Sequence, residues 1–170
     1  ITGDEDAEAL LTSLTEQNAF VKCLPDGVTY RFHHMMKECA ARTFLTMGAE
    51  KQVSYLERFG RWYEDRGQYL HAMSAYRRGG RYDALLRVVQ EDAGILLASL
   101  KPADVLEAID RCPTAVLKAH PAALLVLMRC MFNWRQVPRM MEMKALLLQA
   151  IEEHPELSAE ERGDLLGECD

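Results

Sequence analysis

No apolar run in this sequence approaches the roughly 18–20 residues that a helix needs to cross a bilayer. No basic-then-apolar leader follows the first residue, Ile1. The five cysteines, Cys23, Cys39, Cys112, Cys130 and Cys169, are odd in number and contain no C-x-x-C pair. That argues against a disulfide frame or a zinc finger and for reduced thiols on apolar helix faces. A G-x-x-x-x-G-K-[ST] phosphate loop, a G-x-S-x-G elbow and an H-E-x-x-H pair are missing as well. The adjacent glycines Gly79-Gly80 fall between helical stretches and not after a strand, which excludes a dinucleotide cradle. These absences lead to the expectation of a soluble, cytoplasmic piece of a longer chain, with no catalytic machinery of its own.

What is present is the composition of a folded domain. Hydrophobic residues make up 49% and charged residues 27% of 170 residues, too apolar for a disordered chain. The formal net charge of −6 argues against nucleic acid as a direct partner of these residues. The charge is unevenly placed. Asp4, Glu5, Asp6 and Glu8 make one end acidic, and from Glu152 to Asp170 eight acids face Arg162 alone. Between them, Arg58, Arg61, Arg66, Arg77, Arg78, Arg81 and Arg87 form a basic middle. Its plain reading is solvated helix faces; its sharper reading is an electrostatic contact with another part of the parent protein.

Periodicity divides the chain. Thr2-Gly3-Asp4-Glu5 has the form of a capping box, and Ala7, Leu10, Leu11 and Leu14 at helical spacing predict a helix over about 4–17. Phe20 to Leu24 and Val28 to Phe32, joined by Pro25-Asp26-Gly27, predict a β-hairpin. From His33 onward the pattern is helical. One helix carries Met36 to Met47 and is closed by Gly48; another carries Val53 to Tyr63 and ends at Gly67. The stretch from Gly67 to Met73 then nearly repeats as Gly80 to Leu86, an offset of 13 residues. Glycine ends one helix and an aromatic opens the next, the pattern of helices joined by tight corners. Pro102, Pro113, Pro121 and Pro138 act as helix starters, predicting helices over about 102–111, 113–119, 121–133 and 137–153. Ser158-Ala159-Glu160-Glu161 is a second capping box, opening a final helix.

Candidate sites are few. His33 and His34 with Cys39 would make a zinc site, but adjacent residues point in different directions, and a structural histidine at a strand-to-helix junction is the simpler reading. Met128, Met131, Met140, Met141 and Met143 would line an adaptable groove, or would be core. Tyr69, Tyr76 and Tyr82 beside the arginines would stack on bases, a reading the surrounding acidity opposes. Trp62 reads as core or near-core. Trp134, at a helix–helix corner beside Arg135, seals the core or forms an exposed contact. The candidate interaction surface is therefore Trp134, Arg135, Arg77, Arg78 and Arg81; no catalytic, cofactor or metal residue is assigned.

Leu10, Leu11 and Leu14, the hairpin at Asp26-Gly27, and then Tyr30-Arg31-Phe32-His33-His34-Met35-Met36-Lys37-Glu38 resemble a segment of the large ATP-binding LuxR-type (MalT-like) transcriptional regulators. Their winged-helix segment ends in a strand with tyrosine and arginine, a histidine pair, a hydrophobic pair and a basic-acidic step into a helix. Met35-Met36 replaces the usual leucine-phenylalanine. Phe59 to Gly67, Ala72 and Gly79-Gly80-Arg81-Tyr82 are similar to the junction that precedes the sensor of these regulators. Residues 121–153, opened by His120-Pro121, resemble early tetratricopeptide-like repeats, although the regular Trp-Leu-Gly-Tyr spacing is absent. The resemblance implies a mainly all-α fold: a partial winged helix over residues 1–47, with a hairpin about 20–32, then an antiparallel helical-hairpin array, an α-α superhelix, over 48–170. It implies a bacterial signal-transducing sensor region that couples inducer and nucleotide state to self-association and DNA binding. ATP and DNA would be held by domains outside these residues. The partners implied are those domains, a small-molecule inducer or regulatory protein, and a second copy, with no membrane. The competing reading is a helical-repeat scaffold for another protein, unrelated to transcription.

Overall fold

The computed structural model describes residues 6–92, 95 and 101–167. Their order is α1 (Ala7–Glu16), β1 (Val21–Cys23), β2 (Tyr30–Phe32), α2 (His34–Thr46), α3 (Ala49–Glu64), α4 (Tyr69–Arg78), α5 (Tyr82–Glu91), α6 (Pro102–Arg111), α7 (Thr114–Lys118), α8 (Pro121–Asn133), α9 (Val137–Glu153) and α10 (Ala159–Gly167). The fold is mainly α with one small antiparallel hairpin, as the periodicity predicts. Two compact units are present, Ile1–Tyr55 and Leu56–Asp170, with the division falling inside α3. Among the described residues no helix is long and apolar enough to cross a membrane. The Thr2-to-Glu5 capping box and Cys169 lie outside the described residues.

In the first unit, α1 ends where Asn18 turns left-handed (φ 50°) and Ala19 N–H donates to the Leu14 carbonyl at 2.9 Å. The hairpin pairs Val21 with Phe32, Lys22 with Arg31 and Cys23 with Tyr30. Its strands are shorter than the sequence pattern predicts, for two local reasons. Phe20 is itself left-handed (φ 61°) and cannot extend a strand. At the other end the Asp26 carboxylate accepts from the Val28 and Thr29 amides at 3.1 and 2.9 Å and from the Thr29 hydroxyl, holding Val28 in the turn. Helix α2 closes through an extended Met47 (ψ 149°), and the Gln52 amide donates to the Met47 carbonyl at 2.8 Å. Gly48 takes no left-handed turn here.

In the second unit one corner occurs three times. Gly67 and Gly80 both have φ 64°, and Gln68 and Arg81 donate back five residues to the carbonyls of Tyr63 and Tyr76, each at 2.9 Å. This is the Schellman closure, and it needs one residue at positive φ. The sequence repeat marks these two copies. The third is at Trp134-Arg135-Gln136, where Arg135 stands in the glycine position at φ 56° and Gln136 donates to Met131 at 2.8 Å. The residues that start the following helices agree to within a few degrees: Gln68 (φ −88°, ψ 60°), Arg81 (−88°, 65°) and Gln136 (−89°, 61°).

Between corners the helices face a common apolar core. Tyr76, Val88, Leu124, Met131 and Leu147 are its largest fully enclosed side chains. Helices α8 and α9 pack along their lengths through Leu124, Leu127, Met131, Met143, Leu147 and Ala150. Truncating one such leucine to alanine would cost about 2–5 kcal/mol. Pro102 and Pro121 occupy first helical positions and Pro138 the second, whereas Pro113 is the residue before α7, with an extended ψ of 135°. The second capping box forms: Ser158 N–H donates to the Glu161 carboxylate at 2.9 Å, and Glu161 N–H to the Ser158 hydroxyl at 3.1 Å.

Candidate functional site

The arginines of the basic middle acquire acidic partners through the folding of the second unit. Arg87 on α5 donates through Nε and Nη2 to Glu64 on α3 at 3.1 and 3.0 Å, and the buried Tyr76 hydroxyl donates to the other Glu64 oxygen. Burial, with the Glu64 bond second, pushes the Tyr76 phenol above its ordinary range. Glu57 accepts from Arg61 at 2.5 Å and from Arg81 Nε at 3.2 Å. These pairs are partly solvated, and each contributes at most about 1 kcal/mol. They do tie α3 to α4 and α5. The charge excess read from the sequence is thus largely internal to the fold.

Arg77 is different. It lies on α4 opposite α6, with Nη1 3.4 Å from Asp104 and 3.6 Å from Glu107. Charge-assisted bonds normally close to about 2.7–2.9 Å, so this guanidinium is loosely held. Beside it opens a cavity of about 140 Å³. Helices α4, α5 and α6 form most of its wall through Met73, Leu85, Val89, Val105 and Ile109, and Leu117 of α7 and Leu127 of α8 complete the lining. The polar groups on the lining are Ser74, Arg77 and Asp104. This cavity with Arg77 and Asp104 at its polar end is the candidate site.

The other sequence candidates fall elsewhere. Arg81 pairs with Glu57, Arg78 is exposed on α4, and Trp134 packs partly buried against the core at the α8–α9 corner, with Arg135 exposed beside it. The fold therefore brings Arg77 to a cavity and leaves Trp134 and Arg135 at a separate corner. Met128, Met131 and Met143 are buried core, Met140 packs against that core, and Met141 is exposed, so the methionines do not line a groove together. Tyr76 is enclosed and cannot stack on a base, while Tyr69 and Tyr82 pack against the core. Trp62 is half-buried under the Arg66 guanidinium, 3.9 Å above its ring. His33 caps α2, its Nδ1 accepting from Met35 N–H at 3.4 Å, and its ring lies against that of His34 at 4.1 Å. Among the described residues no cluster of three or more metal-ligating side chains forms. Sequence reasoning missed Asp104 and the cavity itself, because a void between five helices leaves no mark in any one helix's pattern.

Comparison with known proteins gives one positive finding: residues 1–52 match the family model of the MalT winged helix domain. No curated protein and no solved structure matches the chain.

Proposed function

We propose that this chain is the signal-transducing segment of an ATP-dependent LuxR-type transcriptional regulator. Residues 1–52 form the end of its winged helix, and the helices that follow form the start of its sensor array. The observation that carries the reading is the winged-helix match, followed by a helical unit in which one corner recurs three times. A free-standing repeat scaffold has no need of a winged-helix segment. In this role the chain makes no bonds of its own. It transmits a choice between two arrangements of the parent protein, which an inducer and ATP bias through unequal contacts with each. Self-association and DNA binding are then carried out by other parts of the same protein, in the cytoplasm.

Reading the coding sequence on both sides of these residues tests the proposal. A phosphate-binding loop upstream and a helix-turn-helix downstream are expected. If both are missing, the regulator reading fails and a partner-binding helical scaffold takes its place.

A further inference from the structure

We infer that the half-open cavity lined by α4, α5, α6, α7 and α8 binds a neutral, one-ring molecule carrying a single hydroxyl, the chemistry of a phenol. Size comes first. An engineered apolar cavity of ~150 Å³ stays dry and takes up benzene, and the present cavity is about 140 Å³ with walls of Met73, Leu85, Val89, Val105 and Ile109. One aromatic ring fills that volume.

The polar end sets the rest. Asp104 offers a carboxylate acceptor and Arg77 a guanidinium donor, separated by a long 3.4 Å contact. A hydroxyl placed between them donates to Asp104 and accepts from Arg77, satisfying both of its hydrogen-bonding roles. A carboxylate there would join Asp104 and Glu107 against Arg77 and Arg111, which already pairs with Glu107 at 2.8 Å, one negative charge too many. A cation would face Arg77 and would leave water for an apolar chamber. A neutral hydroxyl avoids both penalties. The inference concerns binding alone, so it stands or falls apart from the transcriptional reading.

Calorimetric titration of the 170-residue chain with phenol, toluene and benzoate tests it. Phenol should bind saturably at one site, with a dissociation constant at or below about 1 mM. Toluene should bind roughly tenfold more weakly, since it lacks the hydroxyl, and benzoate should show no saturable binding. Arg77→Leu should bring phenol down to the toluene level while leaving toluene unchanged. Ala108→Phe, which fills the chamber, should abolish both. Should that variant fail to fold, magnetisation transfer from phenol protons to the methyls of Leu85, Val89 and Val105 in the unaltered chain locates the ligand instead. Failure of phenol to saturate, equal affinity for toluene, tighter binding of benzoate, or transfer to methyls outside the cavity would each overturn the assignment.

Discussion

Arg135 sits with φ at 56° in a position that its two sister corners give to glycine. A side chain in the left-handed region costs about 1–2 kcal/mol, and glycine returns part of that through the greater freedom of its unfolded chain, about 0.5–1 kcal/mol. Arg135→Gly should therefore stabilise the second unit by roughly 0.5–1 kcal/mol, and Gly67→Ala should destabilise it by a similar amount. Urea midpoints of the two variants check both signs. His154, at the end of α9, supplies a pH-dependent contribution. Its Nδ1 faces the Glu156 carboxylate and its Nε2 the Lys118 carbonyl at 3.0 Å, so both ring nitrogens meet acceptors and the imidazolium satisfies both. The Glu156 bond above all raises its pKa over the ordinary 6.5. Because the folded state holds this proton more tightly than the unfolded chain, the contribution is complete below pH 6.5 and is lost as pH climbs through the raised value. His154→Gln should flatten that part of the stability profile; unchanged slopes between about pH 6 and 8 would show that His154 takes no part. Among the thiols, burial pushes Cys112 to about 11 and raises Cys130, while Cys23 and Cys39 are exposed. Iodoacetamide should modify Cys23 and Cys39 well before Cys112 and Cys130, as peptide mass mapping would record.

At the scale of elements, the sharpest packing constraint is where α4 crosses α3. Gly60 is buried in the middle of α3, and a Cβ there would overlap the Tyr76 ring carbons. Tyr76 is fully enclosed and anchored through Glu64, so its ring cannot give way. Gly60→Ala, which would favour an ordinary helix by about 1 kcal/mol, should here destabilise by about 1–3 kcal/mol through overpacking. A thermal melt decides between the signs. In the sequence Gly60 reads only as one member of an apolar stripe, because a pairwise close approach leaves no periodic signal. The helices themselves are legible for the opposite reason. Pro102, Pro121, Gly67, Gly80 and the Ser158-to-Glu161 box act within a few residues of themselves, and α6, α8, α4, α5 and α10 start where those residues direct. Legibility fails where a residue works against its type. Arg135 closes a corner without glycine's signature, and Phe20 cuts short a strand that its own side chain favours. The candidate site was half visible: Arg77 stands out as part of a basic run, but Asp104 and the apolar walls come together only through the stacking of α4, α5 and α6.

At the scale of the whole molecule, the two units differ in what holds them. Among the described residues of Ile1–Tyr55, Val21 is the one buried hydrophobic side chain, and Leu10, Phe20, Val28, Met35 and Leu45 are all more than half exposed. The Leu56–Asp170 unit encloses Tyr76, Val88, Leu124, Met131 and Leu147 in a continuous core. Each buried aliphatic side chain contributes about 1.5–3 kcal/mol, so the second unit has far more apolar burial to oppose local opening. Backbone amides exchange with solvent through such openings, and their protection follows the free energy of the opening that exposes them. Amides in α8 should therefore exchange at least about a hundredfold more slowly than those in α2 or in the β1–β2 hairpin, at neutral pH in the unaltered chain. Exchange followed by mass spectrometry of peptides from 34–46 and 121–133 reads the two directly. Equal protection would mean that the first unit opens only when the second does, one cooperative block despite its single buried side chain. Unequal protection would make α3, which spans the division at Tyr55, the element across which stability drops. In the regulator role proposed above, such a step would matter, because a segment that opens cheaply can be reordered by the modest binding energy of a small effector.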